Sequence, residues 1–255
     1  MRLVRNNGFI RSRKRRARLT ALGGFILLIS SVGLTFYIPK LFVPGYAILI
    51  LGFITFNMGM QQMTKWGRHP RPDEVLVDAL RRLNDRFTLI SFPAAGKGRP
   101  EHVLVYPGGL VVISTREVPG KIMVDGNSWR RSGGNKVWML IGMSGPQLGN
   151  PTTENEGDQT ILRSILETRG LAGGDAIDGI VVFLNPRAEL EVESSEITVV
   201  TTDGLLRAVR ELSSETVLPT KDRELIVAAL AEGDEVEGPT SLTTRDAGAK
   251  RAKAA

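Results

Sequence analysis

The stretch Glu101–Lys121 has the sequence EHVLVYPGGLVVISTREVPGK, and the rest of the chain is best understood around it. Apolar residues lie on both sides of the turn sequence Tyr106–Gly109, which predicts two strands joined as a hairpin. The second strand, Leu110–Thr115, is almost continuously apolar, as is typical of a strand buried on both faces of a sheet. Two charged residues, Arg116 and Glu117, follow it. We therefore expect a buried hairpin with polar side chains at its ends.

The composition of the chain excludes several kinds of site. The 255 residues include no Cys, so disulfides, thiolate metal sites and Cys nucleophiles are excluded. The two histidines, His69 and His102, leave little for His-rich metal sites or for Ser-His-Asp catalysis. The length allows one soluble domain with additional segments, or two small domains.

Charge is distributed unevenly along the chain, although the net charge is +6. Residues 1–71 contain 12 of the 33 Lys and Arg and none of the 27 Asp and Glu. The remaining 21 basic and 27 acidic residues leave the rest of the chain with a net charge of −6. The soluble part therefore lacks the general positive charge that nucleic-acid binding usually requires.

Two long uncharged runs follow the basic segment 1–18, namely 19–39 and 41–64, with Lys40 as the one charge between them. Each run exceeds the ~20 residues that a helix needs to cross ~30 Å of hydrocarbon. Backbone groups in lipid must be paired within the segment, so both runs are expected to be helices. The sequence therefore predicts a transmembrane helical hairpin over residues 19–64. Gly52 and Gly59 within it could allow close helix packing.

The basic residues around the hairpin predict its orientation. Arg and Lys are concentrated in residues 1–18 and recur in the juxtamembrane linker 65–71, which places both termini in the cytoplasm by the positive-inside rule. Nucleic-acid binding and an import signal are the alternatives for the basic run. A cleaved signal peptide is the alternative for the first span, but the apolar run is long and no small-x-small site precedes the second span. We expect a two-span protein of the inner cell membrane.

The order of patterns after residue 71 predicts an α/β domain with a mixed sheet over residues 72–231. A helix is expected from Pro72, and a strand over Phe87–Phe92 precedes the hairpin. The elements expected after the hairpin are strands at 121–124, 128–130, 180–184 and 197–201 and helices at 153–168, from Thr202 and over 221–231. Residues 131–149 are expected to form a long loop or insertion, and 232–255 a disordered tail.

Several short strings occur in a suggestive order after residue 72. They are Glu74 in the first helix, Glu101–Val103, YPGGLVVISTR, GKI at 120–122, Trp129, Asn150-Pro151, GIVVFLNP at 179–186 and VVTTDGLL at 199–206. In order and spacing they resemble the nuclease-related domain (NERD) family, a branch of the restriction-endonuclease-like fold, over about 73–230. The resemblance implies a restriction-endonuclease-like mixed sheet flanked by helices, preceded here by the two transmembrane helices.

The resemblance also implies where a catalytic site would lie. Nucleases of this type hold a divalent metal with an Asp and a Glu, and a Lys two residues after the Glu positions the attacking water. The matching positions here are Glu101, Ser114 and Arg116. A serine hydroxyl is a weak, neutral ligand, and a guanidinium stays protonated and cannot act as a base. The resemblance therefore implies a degenerate site.

Two further carboxylates could support such a site. Glu74 is a candidate outer ligand, so Glu74 and Glu101 are the candidate metal ligands. Mg²⁺ is expected as the cofactor only if the domain is a nuclease. Glu117 could replace Ser114, but it lies three residues later, on the opposite strand face unless a bulge intervenes. The structural alternative for Glu101 and Glu74 is solvation at the surface or a salt bridge with Arg116.

Local basic residues predict a second kind of site. A positive face on the acidic domain could be formed by Lys97, Arg99, Arg116, Lys121, Arg130 and Arg131. Trp129 is expected to pack against the sheet, and His102 to be an ordinary strand side chain.

The sequence as a whole predicts a membrane-anchored, NERD-like protein that is catalytically inactive and has a binding or scaffolding role at the cytoplasmic membrane face. The alternatives are a divergent metal-dependent nuclease and a non-catalytic nucleic-acid tether. The expected partners are the lipid bilayer and either a protein or a nucleic acid. The sequence does not specify the oligomeric state, the partner's identity or the pathway.

Overall fold

The computed structural model describes residues 1–38, 40, 42–67, 69–93, 99–132, 148–212, 217–231 and 236–237. The chain divides into two compact units, and one of them is made from two separate stretches of sequence. The first unit comprises Met1–Asn6 and Pro72–Ala255, and the second comprises Asn7–Arg71. The second unit is therefore inserted into the sequence of the first.

The inserted unit consists of two helices, α1 (Asn7–Tyr37) and α2 (Phe42–Gly67). Small buried residues recur at seven-residue intervals, as Ala17, Gly24 and Ser31 in α1 and as Gly45, Gly52 and Gly59 in α2. A side chain at Gly59 would overlap the backbone of Ala21, and one at Gly24 would overlap the backbone of Phe56. Glycine is required at these positions because the two backbones approach closely.

Both helices are long and apolar enough to cross a membrane, as predicted from the sequence. Only 17% of the most apolar window of each helix is buried, whereas the core helix of a soluble protein is mostly buried. Helix α1 begins twelve residues before the predicted span at Leu19, so the basic run is helical too. Arg and Lys are good helix formers, and they extend the helix of the apolar run toward the N-terminus.

The main sheet of the other unit is mixed, as predicted. Its strands are β1 (Arg2–Arg5), β2 (Thr88–Ser91), β3 (His102–Tyr106), β4 (Gly109–Arg116), β7 (Ile177–Phe183), β9 (Thr198–Thr201) and β10 (Val236–Glu237). Their order is β10-β1-β2-β3-β4-β7-β9. The β1–β2, β4–β7 and β7–β9 pairs are parallel, and the other neighbours are antiparallel.

Helices cover both faces of this sheet, which confirms the predicted mixed α/β class. They are α3 (Pro72–Leu80), α4 (Pro151–Thr168), α5 (Thr202–Glu211) and α6 (Thr220–Ala231). Leu76 of α3 and Leu205 of α5 pack in one core, and Leu162 of α4 and Ile226 of α6 pack in the other. Residues of β4 alternate between the two cores, as its continuous apolar run predicted.

A second sheet has the order β6-β5-β8. Its strands are β5 (Gly120–Asp125), β6 (Ser128–Ser132) and β8 (Ala188–Ser194). Its inner face packs against Phe183 of the main sheet in a third core, together with Trp129. The sequence analysis did not predict β8, although the alternation of Ala188, Leu190 and Val192 with glutamates is a strand pattern.

The structure differs from the sequence prediction at both ends of the chain. Residues 1–18 were expected to be one basic segment, but Arg2–Arg5 form β1, which pairs in parallel with β2. Leu3 and Val4 are 0% and 1% exposed, and they enter opposite cores. Within the predicted disordered tail, Val236–Glu237 pair with β1. These short strands owe their structure to pairing with distant residues, which a local pattern does not show.

Parts of the predicted loop and tail lie outside the described residues. They are 133–147 of the loop and 232–235 and 238–255 of the tail.

Truncation of Leu3 tests whether the N-terminal strand belongs to the folded sheet. Because Leu3 is fully buried, Leu3→Ala should lower the free energy of unfolding by about 3 kcal/mol through lost burial and a cavity. Pulse proteolysis of the full chain in mild detergent across a urea series measures this loss. Val217→Ala is the matched control, because Val217 is 75% exposed and should change stability by less than about 0.5 kcal/mol. Equal stability of the Leu3→Ala variant and the wild type would contradict the placement of β1.

Candidate functional site

The candidate site lies where the C-terminal end of β4 meets the first turns of α4. Ser114 and Arg116 are two residues apart on the strand and both contact α4, so they share one face of the sheet. Ser114 is 4% exposed and the Arg116 side chain 13%, which places both at the edge of the buried core. The spacing predicted from the sequence therefore brings these two side chains to one place.

Helix α4 starts beside this strand end because of two residues that favour helix initiation. The Asn150 side chain accepts a hydrogen bond of 3.2 Å from the backbone N–H of Thr153, and Pro151 occupies the first helical position. The Asn150 amide also donates to the carbonyl of Asn127 in the β5–β6 turn. This cap places Glu154 and Asp158, one helical turn apart, over the end of β4.

A buried amide joins α4 to the sheet at Ser114. Asn155 is fully buried, and its Nδ2 donates to Ser114 Oγ at 2.8 Å and to the Val112 carbonyl at 3.1 Å. Its Oδ1 accepts from Gln159 Nε2 at 2.8 Å. A side chain at Gly179 would overlap the side chains of Asn155 and Gln159, so glycine permits this close approach. The Ser114 hydroxyl is therefore engaged in the contact between helix and sheet.

Arg116 places its guanidinium among carboxylates. Its Nη2 forms an ion pair with Glu154, and its Nη1 donates to the Thr115 carbonyl at 3.0 Å. Glu101 lies on the neighbouring strand end, where its carboxylate accepts from Thr115 Oγ1 at 3.0 Å. Asp158 interacts electrostatically with Glu101, Glu154 and Arg116. We call these four charged residues, Glu101, Arg116, Glu154 and Asp158, the strand-end cluster.

Burial and charge act together on Asp158. Burial, followed by the negative charges of Glu101 and Glu154, raises the pKa of its carboxyl from 3.8 to about 6. Arg116 opposes this by lowering the pKa, because a nearby positive charge favours the ionised carboxylate. The three carboxylates of the strand-end cluster therefore carry more negative charge than its one guanidinium can neutralise.

The residues of this site do not fit a divalent metal ion. In the part of the chain that the structure describes, no group of three or more His, Asp or Glu side chains has a geometry that could hold a metal. The cation among the carboxylates of the strand-end cluster is the Arg116 guanidinium, whose fork of N–H donors suits carboxylate oxygens. The positive charge of this guanidinium beside Glu154 and Asp158 opposes the binding of a divalent cation by the same carboxylates.

The other predicted carboxylates lie on different elements. Glu74 is on α3, whose buried Leu76 packs on the face of the sheet opposite α4. Its neighbour Asp73, which is 1% exposed, forms an ion pair with Arg5 at 2.7 Å. Glu117 follows the end of β4, and its backbone carbonyl accepts from Asn185 Nδ2 at 3.2 Å.

The predicted basic residues do not share one face among those described. Lys121 is paired with Glu191 of the adjacent strand β8, with 2.9 Å between Nζ and Oε2. Arg130 and Arg131 are consecutive in β6, and such residues point to opposite faces of a sheet. Arg130 is exposed and Arg131 half-buried. Arg99 is half-buried as well, whereas Lys97 lies outside the described residues.

Trp129 and His102 behave as the sequence predicted. The Trp129 ring stacks on Phe183 with 6.1 Å between centroids, and its Nε1 donates to Thr152 Oγ1 at 2.9 Å. His102 is fully buried within β3, and its Nδ1 lies 3.1 Å from Ser91 Oγ. Both side chains therefore serve packing within the sheets.

Helix α4 contributes residues to the site that were not among those predicted from the sequence. The overlooked residues are Glu154, Asn155, Asp158 and Gln159. A signal was present, because the buried stripe of Leu162 and Leu166 continues toward the N-terminus through Asn155 at helical spacing. The stripe was drawn from apolar residues alone, so its polar continuation was overlooked.

Comparison with known proteins agrees with this part of the fold. Residues 72–184 match the family model described as the nuclease-related domain, NERD. The matched range includes all members of the strand-end cluster. No curated protein and no solved structure matches the chain.

Replacement of Asp158 tests the charge balance of the strand-end cluster. The native carboxyl, with a pKa of about 6, keeps a proton that the unfolded chain, with a pKa near 3.8, has lost. Stability from this group is therefore lost as the pH rises between these values. Asp158→Asn cannot ionise and should be more stable than the wild type by about 1 kcal/mol near neutral pH, since partial exposure screens the charge.

Urea titrations of the full chain at about pH 4 and pH 7.5 measure this difference, which should disappear at the lower pH. Glu156→Gln removes one negative charge from the exposed face of the same helix and serves as the matched control. A less stable Asp158→Asn variant at pH 7.5 would show that the ionised carboxylate stabilises the fold.

Proposed function

From a chain that contains a nuclease-related domain and two long apolar helices, we propose a membrane-anchored protein with a binding or scaffolding role. The domain acts at the cytoplasmic face of the cell membrane and does not cleave nucleic acid. The fold of the domain is retained, and its surface rather than a reaction centre serves the function.

The observation that carries this proposal is the place of Arg116. A metal-dependent nuclease activates water on a cation held by carboxylates, with a group nearby that can accept a proton. Here the positive charge beside Glu154 and Asp158 is a guanidinium, which holds no water as a ligand and stays protonated. Ser114, at the position of a second ligand, is committed to Asn155. These contacts support a site closed to metal chemistry.

Membrane anchoring is supported by exposed apolar surface on both helices. Large side chains such as Leu19, Val32 and Val43 are 58%, 62% and 75% exposed. Such continuous apolar surface is unfavourable in water and suits the hydrocarbon core of a bilayer. Side chains of this kind recur along α1 and α2, which is the arrangement that lipid contact requires.

The sheet supports the placement of both helix ends on one side of the membrane. The chain leaves the sheet unit at Asn6 and re-enters it at Pro72. Strand β1, before the helices, forms backbone hydrogen bonds with β2, after them, so both must be in the same compartment. Cleavage after α1 would also remove Leu3 and Val4 from the two cores, which argues against a cleaved signal peptide.

The basic residues support the cytoplasm as that compartment. Residues 1–71 have no acidic residue, and their Lys and Arg are concentrated at the ends of the helices that join the sheet unit. Short segments with such an excess of Lys and Arg remain on the cytoplasmic side.

Single cysteines test the orientation, because the natural chain has none. In right-side-out membrane vesicles, a membrane-impermeant maleimide should label Lys40→Cys, between the two helices, and leave Val217→Cys, in the sheet unit, unlabelled. Inside-out vesicles should give the reverse, and the Cys-free wild type measures the background. Labelling of both variants in the same vesicles would contradict the two-span arrangement.

Metal binding and DNA nicking test the lack of catalysis. We expect the full chain in detergent to leave supercoiled plasmid intact with Mg²⁺ or Mn²⁺, because Arg116 occupies the carboxylate cluster. Calorimetric titration with either ion should show no saturable binding that depends on Glu101.

The proposal fails if the wild type both nicks DNA and binds metal, and if Glu101→Ala loses both activities. The control is Glu189→Ala, which removes an exposed carboxylate of β8 and should then keep both activities. Salt-dependent binding of the plasmid without nicking would show that the protein is a nucleic-acid tether and not a scaffold for proteins.

A further inference from the structure

The first turns of α1 carry a dense run of positive charge in helical form. Six cations occur within eight residues, namely Arg11, Arg13, Lys14, Arg15, Arg16 and Arg18. All but the half-buried Lys14 are exposed, and Ala17 between them is fully buried. We call these six side chains the basic collar.

The basic collar is electrostatically unfavourable for an isolated helix. Its cations lie close together in the second to fourth turns of α1. Like charges also face each other one turn apart, as at Arg11 and Arg15 and at Lys14 and Arg18. The helical unit contains no Asp or Glu that could offset this repulsion. An anionic partner outside this unit would offset it.

The position of the basic collar along α1 indicates which anion is available. The uncharged run from Leu19 to Tyr37 covers 19 residues, or roughly 28 Å of helix, close to the thickness of a hydrocarbon core. The basic collar follows immediately at one end of that run, at the depth of the phospholipid headgroups.

Aromatic residues mark the same level. The Trp66 ring of α2 lies edge-on to Phe9 with 5.7 Å between centroids, Lys65 lies 5.8 Å from the Trp66 ring and Arg13 lies 5.0 Å from the Phe9 ring. Trp and Lys or Arg together are typical of the interface between water and hydrocarbon.

The angular distribution of the basic collar distinguishes a bilayer from a nucleic acid. At about 100° per residue, the six side chains point in most directions around the helix axis rather than along one stripe. A duplex would contact one side of such a helix, whereas lipid headgroups surround it. Charge complementarity and placement therefore favour lipid phosphates.

We propose that the basic collar binds the headgroups of anionic phospholipids in the leaflet that faces the sheet unit. This inference rests on the membrane anchoring proposed above. The headgroup phosphates offset the repulsion among the cations. The protein therefore enriches anionic lipid around its two helices, in a salt-dependent manner.

Spin-labelled lipids test this proposal with the full chain in phosphatidylcholine nanodiscs. The fraction of motionally restricted label gives the association of phosphatidylglycerol relative to phosphatidylcholine at the protein surface. We expect a preference of about fivefold for phosphatidylglycerol, decreasing at high salt. The quadruple variant Arg13→Gln, Lys14→Gln, Arg15→Gln, Arg16→Gln should reduce the preference to near one.

A matched control removes the same charge elsewhere. It is the quadruple variant of exposed residues in the sheet unit, Arg81→Gln, Arg82→Gln, Arg187→Gln and Arg210→Gln, which should keep the wild-type preference. Glycerol phosphate in solution should not displace the labelled lipid, because the collar is at headgroup depth. Displacement at millimolar concentration would assign the site to free phosphates instead.

Three outcomes would overturn the proposal. They are equal association of the two lipids with the wild type, an unchanged preference in the collar variant, and collar-dependent binding of a DNA duplex without any lipid preference. In all three the protein is still embedded in the nanodisc, so membrane anchoring stands. If flotation and alkaline extraction instead showed that the chain does not embed in bilayers, the proposed function itself would fail.

Discussion

The parallel pairing of β1 with β2 is the constraint on which the rest of the structure depends. Arg5 ends this strand, and its side chain forms an ion pair with Asp73, the buried acid in the first turn of α3. The two residues border the inserted helical unit on either side in sequence, so both ends of that unit are tied to one folded body. A buried carboxylate without its cation is strongly unfavourable, which makes this pair selective for one arrangement of the chain. With β1 in the sheet, the segments before and after the two helices belong to the same folded unit.

The strand-end cluster brings one guanidinium and three carboxylates together where β4, the end of the neighbouring strand and α4 meet. Arg116 supplies the positive charge from within the chain, and Asn155 uses the Ser114 hydroxyl to hold α4 against the sheet. Both contacts join α4 to the end of β4. The pKa of Asp158 is raised because burial and the charges of Glu101 and Glu154 outweigh the opposing effect of Arg116.

Much of the fold could be predicted from the sequence because its strands carry strong local patterns. The run from Leu110 to Thr115 had to be buried on both faces, and Asn150-Pro151 had to start a helix. Strand β1 could not be predicted from the local sequence. Leu3 and Val4 are two apolar residues among arginines, and they form a strand only because they pair with β2. At the site, resemblance indicated Glu101, Ser114 and Arg116 in their correct order. The resemblance could not indicate that Ser114 and Arg116 contact Asn155 and Glu154 of α4. These contacts depend on the packing of a helix more than thirty residues away in sequence.

By itself, the sequence determined the classes of segment: two apolar helices without internal charge, a basic run before them, and an acidic α/β domain without cysteine. These properties follow from composition and periodicity, which act over a few neighbouring residues. The tertiary structure decided which distant segments pair. It placed the N-terminal strand in the sheet, brought Arg116 beside Glu154 and Asp158, and joined the Glu101–Lys121 hairpin to α4. The physical reason is that hydrogen-bond pairing and charge compensation are satisfied in space, between residues whose proximity no local pattern specifies.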